Sequence, residues 1–404
     1  MNRILFISHD SGRTGAPIGL LAFMRWLRAQ GGCEIGTILR APGPLVDDFR
    51  ALGPTLMLGN SFLSRSRLGR RVRSHLPRAW RGDAGAIRKF FVQGRYDAIY
   101  SNTITNGAIL ETLAGRAPVV THVHELEYWI ERSGAENLRR VLSCTNAFIA
   151  ASFAVRDNLV QNHGVPAEKI AVVHEHIREL PALPTAEDKV SARRALGIPQ
   201  DAFVVGSCGA EHWRKGRDLI PQLLLALRRE RPDRAFHFVW VGRPGTRDEE
   251  FALQHDLHRA GVEAFYHSSG GEVADPFRYY PAMDVFALLS RDDPYPLACL
   301  EAAALEMPVV CFADAGGMPE FARDGCGFVA PYLDLSAMAR DVVHLAEDST
   351  LTRNFGKAAR EKVARENLPA ATGPRLRAVL DGLLQRVPVV KMPSPASTAV
   401  ANVQ

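Results

Sequence analysis

Two acidic residues eight positions apart form the strongest candidate site in the sequence. The segment SRDDPYPLACLE places Asp293 in a proline-rich turn and Glu301 in the helical pattern that follows it. The N-terminal amides of a helix after a strand can hold a phosphate or sugar oxygens. Glu301 could accept two hydrogen bonds from a vicinal diol such as a ribose, and Asp293 could reach hydroxyls of a second ring. The alternative, in which Asp293 caps the helix and Glu301 complements its dipole, remains open.

Two basic residues follow another apolar run. The segment GSCGAEHWRKG brings Arg214 and Lys215 to the start of a helical pattern. Adjacent cations at the beginning of a helix suit the two phosphates of a diphosphate. A solvated basic turn, with Trp213 packed against the domain, fits the same residues.

A pair of histidines alternates at the end of a third apolar run. The segment VVTHVHE places His122 and His124 on one face of a strand, with Glu125 directly after them. Their spacing is that of zinc ligands, but no third and fourth ligand stand nearby in the sequence, so we predict no metal. A buried, hydrogen-bonded histidine explains the pattern, as does a polar group that touches a sugar hydroxyl or a developing charge.

Glycines follow two of the apolar runs. Gly12 and Gly15 stand on the first strand-to-helix turn, and Gly316 and Gly317 on the turn ADAGGMPE. Glycine allows either a close approach of the backbone to a ligand or a tight turn, and both readings remain open. The motif GxGxxG does not occur in the chain, which argues against a nicotinamide enzyme.

The elements that must position these residues alternate between short apolar runs and helical patterns. This rhythm is typical of parallel strands joined by helices. Ligands of such sheets bind beyond the carboxyl ends of the strands, where all the candidate residues stand. The apolar runs cover 3–8, 33–39, 98–101, 119–124, 147–151, 202–208, 235–241, 285–289 and 308–312, and the main helical patterns cover 17–30, 218–229 and 297–305.

The rhythm restarts near residue 200, which divides the chain. A length of 404 residues suits two domains of about 200 residues each. We predict an α/β fold of two doubly wound domains, over 1–180 and 201–386, that face a central cleft. A proline-rich linker over 181–200 would join them, and a flexible tail would cover 387–404.

Composition limits the class of protein. The chain is 47% hydrophobic and 23% charged, which is typical of a globular protein. Its six cysteines are scattered without a CxxC pair, so we expect a reducing compartment and no disulfide framework. The sequence shows neither the apolar run of a signal peptide nor an 18-residue apolar stretch, so we expect a cytoplasmic protein.

Basic residues concentrate in one segment. Residues 61–100 carry ten Lys and Arg against Asp83 and Asp97, a net charge of +8 in a chain whose formal net charge is +5. Apolar residues such as Phe62 and Trp80 are interleaved, as in segments that lie on an anionic membrane surface. A solvated loop without a partner is the alternative. No nucleic-acid motif accompanies the charge, so no nucleic-acid partner is expected.

Taken together, these segments resemble glycosyltransferase family 4, whose retaining enzymes have the GT-B fold of two Rossmann-like domains and use nucleotide-activated sugars. The family's Glu-x7-Glu pair corresponds to Asp293–Glu301, and its G-R-x4-K-G loop to Gly209–Gly216. Its His-Asp pair corresponds to His124-Glu125, and its GG-x-P-E turn is intact at Gly316–Glu320. The order and spacing of these signals cover most of residues 3–385.

The resemblance implies a role for each candidate residue. Glu301 would bind the donor ribose, and Lys215 would neutralise the diphosphate leaving group. His124 would contact the donor sugar near its anomeric centre, and Gly15 would let the first loop approach donor or acceptor. The implied catalytic residues are His124, Lys215 and Asp293, and the implied donor-binding residues are Gly15, Arg214, Lys215, Asp293, Tyr295, Leu297, Glu301, Gly316 and Gly317.

The sequence departs from the family pattern at three places. Asp293 is one methylene shorter than the usual glutamate, and Pro294 and Pro296 replace glycines. Ala210 stands where the family usually has a phosphate-binding arginine, a role that Arg214 could take over.

The resemblance implies transfer of a hexosyl unit from a nucleoside-diphosphate sugar to a hydroxyl acceptor, with retention and with no metal or other cofactor. The pathway it implies is synthesis of a cell-surface polysaccharide or lipid-linked glycan, with the segment 61–100 at the inner face of the membrane. Two alternatives remain open. One is a nucleotide-sugar epimerase or phosphorylase of the same fold, and the other is a non-catalytic nucleotide-sugar-binding protein.

Overall fold

The structure, a computed structural model, describes residues 1–59, 83–210, 212–243, 245–271, 273 and 275–386. Within these residues the chain forms two parallel sheets with helices packed against them. The predicted α/β class, with two doubly wound sheets, is confirmed. The predicted tail over 387–404 lies outside the described residues, as does the part of the basic segment that precedes residue 83.

The first sheet holds the residues before 173. Its strands are Asn2–Ser8 (β1), Cys33–Leu39 (β2), Thr55–Met57 (β3), Ala98–Asn102 (β4), Val119–Val123 (β5), Ala147–Ala150 (β6) and Ile170–Val172 (β7). Among the described residues their order is β3-β2-β1-β4-β5-β6-β7. The order reverses between β1 and β4, where Ile4 pairs with Ala98. A reversal of this kind opens a crevice at the carboxyl ends of the strands.

The second sheet follows the same plan. Its strands are Phe203–Cys208 (β8), Phe236–Val241 (β9), Tyr266–Ser268 (β10), Val285–Leu288 (β11), Val309–Phe312 (β12) and Gly327–Ala330 (β13). Over the described residues the order is β10-β9-β8-β11-β12-β13, with the reversal between β8 and β11. The loops after β8, β11 and β12 carry the candidate residues of this half of the chain.

Helices connect the strands and cover the sheets. In the described part of the chain they are Gly15–Ala29 (α1), Val46–Arg50 (α2), Asp83–Gly94 (α3), Gly107–Thr112 (α4), Glu127–Ser133 (α5), Ala135–Cys144 (α6), Phe153–Gln161 (α7), Ala186–Leu196 (α8), Ile220–Glu230 (α9), Arg247–Ala260 (α10), Leu297–Ala304 (α11), Met318–Ala322 (α12), Leu335–Glu347 (α13), Ser349–Glu366 (α14) and Pro369–Arg386 (α15). None of those in the described residues is long and apolar enough to span a membrane.

Helix bounds follow local signals. α1 begins two residues before the predicted start because Pro17 is tolerated in the first turn, where its missing N–H is not needed. α9 begins at Ile220, after a short 3₁₀ turn over Arg217–Leu219. α8 lies within the predicted linker, where Thr185 and Asp188 form a capping box. Gly197 ends that helix in the left-handed conformation.

The last helix returns to the first sheet. Leu376, Leu380 and Leu383 of α15 are buried in one apolar cluster with Ile4 and Phe6 of β1. The chain therefore crosses from the first sheet to the second and back again. Residues that follow the strands of the two sheets meet, as Tyr128 after β5 and His212 after β8 show.

Candidate functional site

The two halves approach each other at the start of α11. A Cβ atom on Gly15, the first residue of α1, would lie 3.7 Å from Cγ of Leu297, the first residue of α11. A side chain at position 15 would therefore meet Leu297 at an ordinary van der Waals distance. The structure brings together these two predicted donor-binding residues, one from each half.

Three charged residues meet on the second-half wall of the cleft. Lys215 Nζ lies 2.5 Å from Oδ2 of Asp293, and Arg214 Nη1 lies 3.2 Å from its Oδ1. All three side chains are at least four-fifths buried. Burial alone would raise the pKa of Asp293, but the charges of Lys215 and Arg214 outweigh it and lower that pKa below its usual value. Asp293 is therefore a carboxylate that holds two cations.

Two further groups orient the Asp293 loop. The Ser290 hydroxyl donates to Asp293 Oδ2 at 2.9 Å, and the Asp293 N–H donates to the Ala315 carbonyl oxygen at 2.7 Å. Arg214 Nη1 also donates to the Asp292 carbonyl oxygen at 2.7 Å. The loops after β8, β11 and β12 are thus joined to one another around this carboxylate.

The glycine pair supports this loop from behind. A Cβ on Gly316 would lie 1.9 Å from the Asp293 carbonyl oxygen, and one on Gly317 would lie 2.3 Å from the Pro294 carbonyl oxygen. Tyr295 is buried and lies under Gly317, with its ring stacked on His174 at 4.7 Å. These three predicted donor-binding residues pack the loop against the first half and are not among the charged side chains described above.

Glu301 lies one turn inside α11 and is half-buried. The Tyr280 hydroxyl donates to its Oε2 at 2.8 Å. Burial raises the pKa of Glu301 to about 7, although the hydrogen bond from Tyr280 acts in the opposite direction. Burial also raises the pKa of the neighbouring Cys208 thiol to about 11.

His124 lies on the first-half wall, just after β5. Its Nδ1 makes a short hydrogen bond with Glu175, and its Nε2 lies 2.8 Å from Asn102 Oδ1. Glu125 accepts hydrogen bonds from the backbone N–H groups of Ile104 and His124, at 3.2 and 2.9 Å. The two residues of the predicted His-Glu pair are therefore held by different partners.

The histidine pair lies beside a third group that could ligate a metal ion. Ligand atoms of His122, His124 and Glu175 lie within 4.8 Å of one another, so the fold supplies a third group that the sequence did not indicate. The ring centroids of His122 and His124 lie 3.9 Å apart, with the ring planes tilted by 40°, and hydrogen bonds occupy both nitrogens of His124. Nε2 of His122 is buried and has no hydrogen-bond partner among the described residues. The absence of a metal stays a prediction.

Polar contacts join the halves beside the cleft. Glu320, the last residue of the GG-x-P-E turn, accepts hydrogen bonds from the N–H groups of Phe153 and Ala154 at 3.1 and 2.9 Å. His174 Nε2 lies 2.9 Å from the same carboxylate. A carboxylate at the N-terminus of α7 is stabilised by the exposed amides and the helix dipole. Glu320 therefore fixes one half of the chain to the other.

Aromatic contacts also join the halves. Tyr128 of α5 lies 5.4 Å from His212 and 5.7 Å from Trp213, between ring centroids, and Trp129 lies 5.4 Å from His212. Trp213 is still 54% exposed. The predicted packing of Trp213 thus takes place across the cleft, against the other half.

Sequence reasoning missed the residues that hold the candidate side chains. They are Asn102, Glu175, Tyr280, Ser290 and Glu320, and four of these contact a predicted site residue directly. Ser290 alone lies close to its partner in sequence, three positions before Asp293. The others are between 21 and 51 positions from the residues they contact, or bind across the two halves. No spacing rule connects residues at such distances.

Comparisons with known proteins identify the family of both halves. Residues 14–178 match the family model described as Glycosyltransferase Family 4, and residues 200–348 match the one described as Glycosyl transferases group 1. The D-inositol 3-phosphate glycosyltransferase of Streptomyces avermitilis is 27% identical over 288 residues, which cover 66% of this chain and 61% of that protein. The chain thus spans about three fifths of the length of the curated relatives it matches.

Solved structures show the same architecture. Anabaena HepE in complex with UDP and glucose superimposes with a TM-score of 0.76 at 20% identity, over 94% of this chain and all of that one. Sucrose-phosphate synthase from Thermosynechococcus elongatus gives a TM-score of 0.74 at 19% identity, over 95% of this chain and all of that one. These likenesses establish the GT-B fold. Since the two family models together span both halves of the cleft, the chain belongs to glycosyltransferase family 4.

Proposed function

We propose that this chain transfers a hexosyl unit from a nucleoside-diphosphate sugar to a hydroxyl acceptor, with retention at the anomeric carbon. The observation that carries the proposal is the convergence of Lys215 and Arg214 on Asp293, in the loop that leads to Glu301. Two buried cations with one carboxylate leave an excess of positive charge, which favours an anionic ligand. Anabaena HepE, which shares the fold, was solved with UDP-glucose.

The diphosphate, the sugar and the ribose of the donor would each have a binding partner in this arrangement. The diphosphate would replace the Asp293 carboxylate as the partner of Lys215 and Arg214. Asp293 would then be free to accept hydrogen bonds from hydroxyls of the donor sugar. Glu301, whose Oε2 accepts from Tyr280, would accept from the ribose diol with its other oxygen.

The transfer reaction would be accelerated by stabilisation of the leaving group. The diphosphate gains negative charge as the glycosidic bond breaks, and cations already fixed beside it lower the barrier. With the donor bound, Asp293 would be a poor nucleophile because the Ser290 hydroxyl and the hydroxyls of the donor sugar would hold its oxygens. We therefore propose that retention proceeds without a glycosyl-Asp293 intermediate, with the departing phosphate accepting the proton of the acceptor hydroxyl.

Our proposal for the acceptor rests on the composition of the sequence. The basic segment 61–100 belongs to the first half, whose helix α3 and strand β4 are described from residue 83 onward. We propose that this segment contacts an anionic membrane on which a lipid-linked acceptor is presented, in polysaccharide or glycan synthesis. The curated relatives are named for D-inositol 3-phosphate.

Product analysis tests the proposal. The chain would be incubated with UDP-, GDP- and ADP-hexoses and lipid-linked and soluble acceptors, and the products followed by NMR. An α-configured donor should give an α-linked product, with no dependence on free phosphate. Phosphate-dependent release of sugar 1-phosphate would indicate a phosphorylase, an epimerised donor would indicate an epimerase, and binding without turnover would indicate a non-catalytic protein.

A variant pair ties the activity to the cleft. Lys215→Ala should abolish transfer because the leaving group loses a cation. Lys357→Ala removes an exposed lysine of α14, away from the cleft, and should leave transfer unchanged. Equal activity in the two variants would contradict the assignment of Lys215.

A further inference from the structure

We propose that Glu175 is a positioning residue for the transfer reaction, which with Asn102 holds His124 as a doubly protonated imidazolium on the first-half wall of the cleft. The inference rests on the proposed function for its catalytic meaning. The protonation state itself is independent of that function and can be measured separately.

The hydrogen-bond pattern fixes one proton. Asn102 Nδ2 donates to the Ala16 carbonyl oxygen at 3.0 Å. A carbonyl oxygen only accepts, so the amide must present its Nδ2 to Ala16 and its Oδ1 to His124. Because Oδ1 lies 2.8 Å from His124 Nε2 and cannot donate, Nε2 carries a proton.

The contact between His124 Nδ1 and Glu175 places the second proton on His124. Glu175 lies beside this nitrogen, and both side chains are more than nine-tenths buried. Burial alone would lower the pKa of His124, but the charge and hydrogen bond of Glu175 outweigh it and raise that pKa. Burial alone would raise the pKa of Glu175, but the charge of His124 outweighs it and lowers that pKa. The proton between them therefore belongs to His124.

The other titratable groups around His124 do not change the assignment of this proton to His124. Burial lowers the pKa of His122 well below its usual value, and the charges of His124 and His176 add to the effect. His176 is buried against Glu175, and its pKa is also lowered, mainly by burial. Burial raises the pKa of Glu125. Of these three imidazoles, only that of His124 has a raised pKa.

A residue of the second half holds the backbone of Glu175 in place. Asn367, at the end of α14, donates its side-chain N–H to the Glu175 carbonyl oxygen at 2.7 Å. Gly19 of α1 leaves room for the carboxylate, since a Cβ there would lie 3.1 Å from Glu175 Oε2. Asn102 is likewise tied to α1 through Ala16. The imidazolium is therefore held between Asn102 at the end of β4 and Glu175 after β7, and both of these residues lie beside α1.

These two contacts limit what His124 can do in catalysis. With both nitrogens donating to protein oxygens, it has no lone pair for a substrate proton and cannot serve as a general base. It can serve as a fixed positive charge, which favours the negative charge that develops on a leaving diphosphate. Its charge, and with it the rate, should be lost at alkaline pH.

NMR of the whole chain, with its histidines labelled with ¹⁵N, tests the proposal, and His124→Asn assigns the signals of His124. In the wild type both nitrogens of His124 should have imidazolium shifts at pH 7. Glu175→Gln should lower the pKa of His124 by about one to three pH units. Tyr100→Phe, which removes only the hydroxyl that contacts His122 Nδ1, is the matched control and should leave that pKa in place.

Asn102→Asp provides a second variant in case Glu175→Gln does not fold. A carboxylate in place of the amide should raise the pKa of His124. A neutral His124 in the wild type at pH 7, or a pKa that neither variant moves, would overturn the proposal whether or not the chain transfers sugar.

The rate gives the catalytic readout. In the pH profile of kcat, the alkaline limb of Glu175→Gln should move to lower pH, with the Kd of the nucleoside diphosphate at pH 6 unchanged within about twofold. Equal alkaline limbs in wild type and variant, with transfer intact, would refute the positioning role. Absence of transfer in the wild type would refute the proposed function and leave the NMR result to decide the protonation state.

Discussion

The pH dependence of nucleotide binding should report on Glu301. Burial raises the pKa of this carboxyl group to about 7, above its ordinary value of 4.5. A ribose diol needs an acceptor, so the ionised form is the one that binds. The ionised fraction rises from about one tenth at pH 6 to about nine tenths at pH 8, so the affinity should rise about tenfold, or about 1.4 kcal/mol.

Tyr280 should set the position of that transition. A hydrogen bond to a charged group contributes about 1.5–3 kcal/mol, so Tyr280→Phe should raise the pKa of Glu301 by about one to two pH units. Binding at pH 7 should then weaken by about 5- to 50-fold and return to within about twofold of the wild type at pH 9.

Isothermal titration calorimetry of UDP, GDP and ADP between pH 6 and pH 9 measures this directly. Glu301→Gln is the control, since it removes the titrating group and retains the ionisation of the ligand's own phosphate. An equal slope of log Kd with pH in wild type and Glu301→Gln would refute the reasoning. So would a loss of affinity in Tyr280→Phe that is the same at every pH.

Three further predictions concern stability, each measured as a shift in Tm. Lys215→Met should destabilise the chain because it leaves the buried Asp293 carboxylate with Arg214 as its one cationic partner. Adding Asp293→Asn should restore stability without restoring diphosphate binding. Independent, additive effects of the two substitutions on Tm would contradict this coupling. Glu320→Gln should cost about 1–3 kcal/mol, since the amide replaces a carboxylate that accepts from Phe153, Ala154 and His174, whereas the exposed Glu361→Gln should have no effect. Gly317→Ala should destabilise the chain strongly because the new Cβ would lie 2.3 Å from the Pro294 carbonyl oxygen. Gly271→Ala is the control and should be tolerated, since its Cβ would meet nothing within 4 Å in the described residues. Equal Tm values for the two variants would contradict the packing argument.

The sequence predicted the fold well because its signals are local. Apolar runs and capping residues act within a few positions, so each strand that we predicted lies within one or two residues of its observed bounds. The short strands β3, β7, β10 and β13 were missed because three or four residues carry too little pattern to separate them from a loop. α8 was missed although Thr185, Asp188 and Gly197 mark its ends.

The charged part of the site was also predictable. Lys215 lies 78 residues from Asp293, and Arg214 directly precedes Lys215. All three nevertheless stand at the carboxyl ends of neighbouring strands, which the rule for parallel sheets brings together. The rule gives the location of a residue but not the direction of its side chain. Tyr295 illustrates this limit, because its ring turns away from the charged cluster and stacks on His174.

The partners of the site residues could not be predicted. Glu175 reaches His124 only because β7 lies two strands from β5 and the chain after it folds back over α1. Glu320 is part of the family's turn, but its hydrogen bonds go to the first half of the chain. Such contacts depend on how the two sheets face each other, which no local pattern encodes.

Donor binding is the most direct test of the central claim that Lys215, Arg214 and Glu301 form a nucleotide-sugar site. The unfolding temperature would be measured with UDP, GDP, ADP and their common sugars, for the wild type and Glu301→Ala. A ligand at 100 times its Kd should stabilise the wild type by about 2.7 kcal/mol. The account requires stabilisation by one nucleotide family that is lost in Glu301→Ala. No stabilisation by any of these ligands, or the same stabilisation in both proteins, would contradict it.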